Sequence, residues 1–151
     1  MAGLGIRVEY KGADVVVRNL FETATRASDP RPAFREVGRD FLRVTGSEFS
    51  RGGIPRWAPL ASSTIERKRS AGLDPRILIA TGRLRDSYAS EGGDHIERMT
   101  RADVEMGTKV PYAHFHRDGL KRMPKRPVTI ARSDQRRWVA YVRAYVIASS
   151  R

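Results

Sequence analysis

Apolar residues recur along the chain in two rhythms. Over residues 5–10, Ile6, Val8 and Tyr10 alternate with Arg7 and Glu9, the period of a short strand with one buried face. Lys11 and Gly12 break it. From 13 to 27 the spacing becomes three and four. Val16, Val17, Leu20, Phe21, Ala24 and Ala27 share a helical stripe, with Asp14 near the positive end of the helix dipole. Asp29-Pro30-Arg31-Pro32 stops that helix and opens another over 32–49, whose apolar face carries Phe34, Val37, Phe41, Leu42, Thr45 and Phe49. Two amphipathic helices with a proline-rich joint predict a helical hairpin covering a sheet.

The middle of the chain is punctuated by turns. Arg51-Gly52-Gly53-Ile54-Pro55 is a loop by composition, and Trp57-Ala58-Pro59-Leu60 follows it. A short polar helix is expected over 62–71, with Ser63 and Glu66 at capping-box spacing, and a turn over 72–75. The apolar run Ile77-Leu78-Ile79-Ala80 leads through Thr81-Gly82-Arg83-Leu84 into an expected strand over 85–90. Glu91-Gly92-Gly93-Asp94 reads as a hairpin turn into a strand over 95–100, and 102–108 alternates like a strand with one wet face. Residues 111–118 predict a short helical turn stopped by Gly119, and 120–127 a basic, mobile loop. A last strand is expected over 128–131. Ser133 is then expected to cap a helix over 134–149 with Trp138, Tyr141, Val142, Tyr145 and Val146 on one stripe.

There is no internal repeat. One domain is expected, divided into a strand and helical hairpin (5–50), a loop and short helix (51–76), a strand region (77–110), a basic loop (117–127) and a C-terminal helix (133–149). Segregated helices and hairpin strands make the class α+β: a small antiparallel sheet with a long helical hairpin packed on it and a C-terminal helix.

Composition narrows the function. A chain of 151 residues can hold one core without covalent staples. No stretch approaches the roughly 18 apolar residues of a membrane span, and residues 1–10 lack the apolar segment of a secretory signal, so neither membrane nor export is expected. Without cysteine there is no disulfide framework, thiolate nucleophile or cysteine-ligated zinc. Lysine and arginine number 29 against 17 acids, a formal charge of +12. Such an excess predicts an acidic partner, whether nucleic acid, an anionic membrane face or an acidic protein surface, and the mainly arginine composition suits bidentate contact with phosphate or carboxylate. The basic residues are spread over 51–85 and 117–137 rather than gathered in one tail.

Chemistry-bearing motifs are few. His114-Phe115-His116-Arg117-Asp118 resembles the opening of a metallo-hydrolase motif, but Gly119 stands where the closing histidine belongs, and His95 is the only other imidazole. On a helix, His114 and His116 would point about 200° apart. His95 and Glu97 match a fragment of the zinc-deaminase signature, which requires the cysteines this chain lacks. Asp94, Glu97, Asp103 and Glu105 could serve a magnesium-dependent nuclease, yet acids two apart on strands mark a solvated face. No metal, cofactor or catalytic residue is expected. Trp57 beside Pro59 and Leu60 reads as a loop anchor, a subunit contact, or both. Tyr88, Tyr112, Tyr141 and Tyr145 read as core or interface residues rather than base-stacking platforms.

An ordered set of small signals runs through the chain: Gly53, Trp57-Ala58-Pro59-Leu60, Thr64, Arg67-Lys68; Ile77-Leu78, Thr81-Gly82-Arg83-Leu84, Ser87; Val104, Gly107-Thr108, Val110-Pro111-Tyr112-Ala113, His116, Gly119; Pro124 and Arg126-Pro127. Over about residues 37–146 this resembles the phage virion morphogenesis family, the tail-completion proteins of tailed bacteriophages. The resemblance implies a non-enzymatic structural protein of the virion neck, assembled in the host cytoplasm. It would form a homo-oligomeric ring, hexamer or dodecamer, around the DNA channel, as a tail terminator or head–tail connector. Its implied partners are its own copies, neighbouring adaptor and tail tube proteins, and genomic DNA touched without sequence preference. Under this reading Trp57, Pro59, Leu60, Tyr112, His114 and His116 are candidates for subunit or neighbour contacts. Arg117, Lys121, Arg122, Lys125 and Arg126 are candidates for the DNA channel or an acidic partner. The charge alone admits a second reading, a free basic nucleic-acid-binding protein.

Overall fold

The computed structural model of the chain describes residues 13–121 and 123–148. The expected strand over 5–10 lies outside the described residues. In chain order the elements are α1 (Ala13–Ser28), α2 (Arg31–Arg51), α3 (Ser62–Ser70), α4 (Arg83–Ala89), β1 (His95–Met99), β2 (Val104–Thr108), α5 (Ala113–Asp118) and α6 (Arg132–Ile147). The class is α+β, as the patterning predicts.

α2 is the spine. Pro32 occupies its first turn, where a missing N–H costs nothing. Gly52, at φ 76°, ends it in the left-handed conformation that glycine adopts without penalty. Its expected apolar stripe is buried at Val37, Phe41, Thr45 and Phe49. Phe49 joins Trp57, Ile79, Leu84 and Val110 in the core, with Tyr88, Tyr112 and Val128 packed around them. Two turns earlier, Phe41 sits among the rings of Tyr88, His95 and Trp138, all at centroid distances of 6.1–6.4 Å. The Thr45 hydroxyl lies 2.6 Å from the Tyr88 carbonyl, fastening α2 to α4.

β1 and β2 form an antiparallel hairpin, in register from His95 opposite Thr108 to Met99 opposite Val104. At its turn the Thr100 hydroxyl accepts the Ala102 and Asp103 N–H groups. α6 is held to α2 by Asp40, which accepts from the guanidinium groups of Arg43 and Arg137 and from the Trp138 indole N–H at 2.7 Å. Burial alone would raise the Asp40 pKa. The hydrogen bonds from Arg137, Trp138 and Arg43 outweigh it and hold the carboxyl below its ordinary value.

Several expectations are corrected. Residues 85–89 are helical, not a strand, and Ser90 is the extended C-cap: Leu84, Ser87 and Tyr88 stand three and four apart, and Gly82, at φ 88°, starts the turn that buries Leu84 and Ser87. Glu91–Asp94 therefore links a helix to a strand, and the only described sheet has two strands. Residues 128–131 form no strand, because the Thr129 N–H goes to the Glu48 carboxylate rather than to a ladder partner. Ser63 and Glu66 make no capping box; Ala61 is the N-cap of α3 and its carbonyl accepts from Thr64 and Ile65. α6 starts one residue before Ser133, with Ala131 at its N-cap. The first two helices do not close as a hairpin over the sheet. α1 lies against α6, and its apolar stripe stays largely in solvent, with Leu20 64% and Phe21 70% exposed.

Candidate functional site

Two loops far apart in sequence are tied by side chains that reach backbone atoms. The Trp57 indole N–H donates to the Pro127 carbonyl at 2.8 Å. In the reverse direction, Arg126 donates from Nε to the Ala58 carbonyl at 2.8 Å and from Nη2 to that of Pro59 at 3.1 Å. The Glu48 carboxylate accepts the Thr129 N–H at 3.0 Å and its hydroxyl at 3.1 Å. Gly53 (φ 93°) permits the tie, since a Cβ there would lie 2.6 Å from the Trp57 ring. Burial pushes the Glu48 carboxyl above its ordinary pKa, against the pull of the Thr129 donors. Desolvation likewise draws Arg126 downward.

Beside this tie opens a cleft of about 550 Å³. α3 supplies Thr64, Arg67 and Lys68 to one wall, and the 78–84 segment supplies Leu78, Thr81, Arg83 and Leu84 to another. Leu60, Tyr112, His116, Met123 and Arg126 complete it. Lys68 is fixed by donating to the Arg76 carbonyl at 2.5 Å, and burial lowers its pKa. Leu78 adopts φ 59°, a left-handed conformation uncommon for a branched side chain, at the cleft wall. Tyr112 and His116 pack edge to face at 6.1 Å. His116 Nδ1 is buried without a hydrogen-bond partner among the described residues. Burial, with the nearby charge of Arg126, depresses the imidazole pKa.

The expected contact residues separate. Pro59, Leu60, Tyr112 and His116 line the cleft together, and Trp57 lies beneath it, 6% exposed, with its ring 5.4 Å from Phe49. His114 stays outside, exposed, against Phe115. Among the basic residues, Arg117 is exposed and pairs with Asp118 at 2.8 Å, while Lys121 and Lys125 are exposed. Arg122 lies outside the described residues. Arg126 is 6% exposed, lines the cleft and donates to the Ala58 and Pro59 carbonyls. The loop expected to be mobile is accordingly pinned: Leu120 and Met123 exchange backbone hydrogen bonds at 2.9 and 3.0 Å, and the Arg126 N–H reaches the His116 carbonyl at 2.7 Å.

Arg67, Lys68 and Arg83 were not among the expected site residues. A signal for them exists: Thr64, Arg67 and Lys68 are spaced three and four apart on one helical face, opposite a Pro-Leu loop. Elements of the ordered pattern that are scattered from Pro59 to Arg126 converge on this one cleft. His95, by contrast, is a core residue whose Nδ1 lies 2.9 Å from the Ser87 carbonyl. Among the described residues no cluster of three histidine, aspartate or glutamate side chains is placed to hold a metal ion. No described helix is long and apolar enough to cross a membrane.

No curated protein and no solved structure matches the chain. The model of the phage virion morphogenesis family matches residues 8–146, nearly the whole sequence and all of the cleft. The chain belongs to the phage virion morphogenesis family, whose name places its role in building the phage particle.

Proposed function

We propose that the protein is a structural subunit of the phage neck that completes the tail and joins it to the head as an oligomeric ring around the DNA channel. Family membership supports a role in virion assembly. The observation that carries the subunit reading is α1: Val15, Val16, Val17, Leu20 and Phe21 are all about half exposed or more on one helix. A monomer gains nothing by keeping such a stripe wet, whereas a neighbouring copy can bury it. A closed ring uses two different complementary surfaces on each subunit, and α1 is one such surface.

In this reading the protein acts by shape and charge, without covalent chemistry. Lys121 and Lys125 meet DNA phosphate or acidic neighbours without reading bases. The excess charge, multiplied around a ring, makes these contacts sensitive to salt.

Sedimentation velocity and negative-stain electron microscopy of the purified chain test the proposal. Concentration-dependent rings, and antibody labelling of the head–tail junction in particles, are expected. A strictly monomeric protein that binds duplex DNA tightly and with sequence preference would instead make it the free nucleic-acid-binding protein that its charge also allows.

A further inference from the structure

The cleft beside the Trp57–Arg126 tie has a one-sided electrostatic character. Arg67, Lys68, Arg83 and Arg126 line it, and among the described residues no aspartate or glutamate does. Arg83 is balanced by Asp94 at 2.5 Å. Arg67 and Arg126 form no ion pair among the described residues, and Lys68 feels only Asp74, which is itself paired to Arg76 at 2.5 Å. Arg126 spends two of its five guanidinium N–H groups on the Ala58 and Pro59 carbonyls, which leaves three without an acceptor among the described residues. A guanidinium 6% exposed with no ion pair among the described residues is a group that an incoming anion stabilises.

The remaining wall is apolar, with Leu60, Leu78, Leu84, Met123 and the ring of Tyr112. Resting on the neck-subunit reading, we infer that this cleft docks an extended acidic segment of a neighbouring virion protein. An apolar side chain of that segment sits against Leu60 and Leu84, and its carboxylates meet Arg67, Lys68 and Arg126.

Three features favour an acidic peptide over the alternatives. A duplex offers phosphates on a convex rod and has nothing to bury against a leucine-lined wall. A single strand needs open aromatic faces for its bases, and the one aromatic ring on this wall, Tyr112, is already packed against His116. A second copy of the chain is a poor source of the acid. Asp29, Asp74, Asp86, Asp94 and Asp118 are each held by an arginine of their own chain, and although Glu66, Glu91 and Asp103 are exposed outside any such pair, whole copies repel at +12 apiece.

Fluorescence anisotropy on the purified full-length protein provides the test. The probes are a labelled peptide of alternating glutamate and leucine, its glutamine–leucine counterpart, a short oligothymidylate and a short duplex. The glutamate peptide is expected to bind saturably and weaken with salt, and the glutamine peptide at least tenfold less tightly. Arg67→Glu/Lys68→Glu, and separately Thr64→Trp, which fills the cleft without changing charge, should each reduce binding at least tenfold with an unchanged circular dichroism spectrum. Equal binding of the two peptides, or no loss in a folded variant, overturns the inference. So does tighter binding of either nucleic acid that is abolished by the same substitutions. Should the glutamate peptide fail to bind while the protein is still found in rings at the neck, this inference falls alone. A protein absent from particles removes the neck reading, whatever the peptide does.

Discussion

Trp57 unites most of what the chain does locally. Its ring fills the core against Phe49, its N–H holds the Pro127 carbonyl, and Gly53 is shaped around it. Trp57→Ala should cost about 3–5 kcal/mol in denaturant titrations, the usual range for emptying a large aromatic site. Trp57→Phe keeps most of the buried area and strands the carbonyl, so about 1–3 kcal/mol is expected. A Trp57→Phe loss as large as the alanine loss would show that the tie, not the packing, dominates. Glu48 offers a pH test at the same scale. It is 2% exposed, and burial lifts its carboxyl pKa above the ordinary 4.5. A folded value above the unfolded one means that the fold prefers the neutral acid. Its stabilising effect is full below about pH 4.5 and is lost as pH rises through the lifted value. Glu48→Gln stays neutral, so unfolding free energies measured across that window should fall with pH in the wild type relative to the variant.

At the scale of elements, side chains rather than propensity decide where pieces go. α6 contributes no fully buried residue, yet it is fastened by Arg137 and Trp138 converging on Asp40 of α2. Asp40 has the opposite linkage to Glu48. Its lowered pKa contributes stability that is present above the ordinary 3.8 and lost as pH falls through the folded value. Asp40→Asn should lower the melting temperature, flatten that acid limb and shift Trp138 emission to the red as α6 loosens. A mutant with native emission would mean that Phe41 packing alone seats the helix. The misread residues 85–90 show why short elements escape pattern reading. Over seven residues, Leu84, Ser87 and Tyr88 fit a helical turn as well as a strand edge. The choice is made by Ser87, whose hydroxyl donates to the Leu84 carbonyl and sits 2.7 Å from that of Thr108, docking the turn onto β2.

For the whole molecule, the exposed stripe on α1 sets the expectation. Leu20→Glu/Phe21→Glu alters side chains already in water, so the fold should change by no more than about 0.5 kcal/mol in denaturant. Oligomers should disappear in sedimentation, and complementation should yield fewer complete particles. Unaltered assembly would place the subunit contact elsewhere.

Amphipathic periodicity alone determined α1, α2 and α6 to within a few residues, because over long windows the period of 3.6 is distinct, and it marked 95–100 and 102–108 as strands while placing the hairpin turn at 91–94 rather than between them. The ordered motifs also carried the family. What they could not carry was direction. Arg126 reads in sequence like its basic neighbours, and only the fold turns it inward to the Ala58 and Pro59 carbonyls. Val16 and Leu20 read like core, and only the fold leaves them outside. The reason is physical: periodicity records which residues share a face, whereas burial depends on what the chain brings against that face from some 70 positions away.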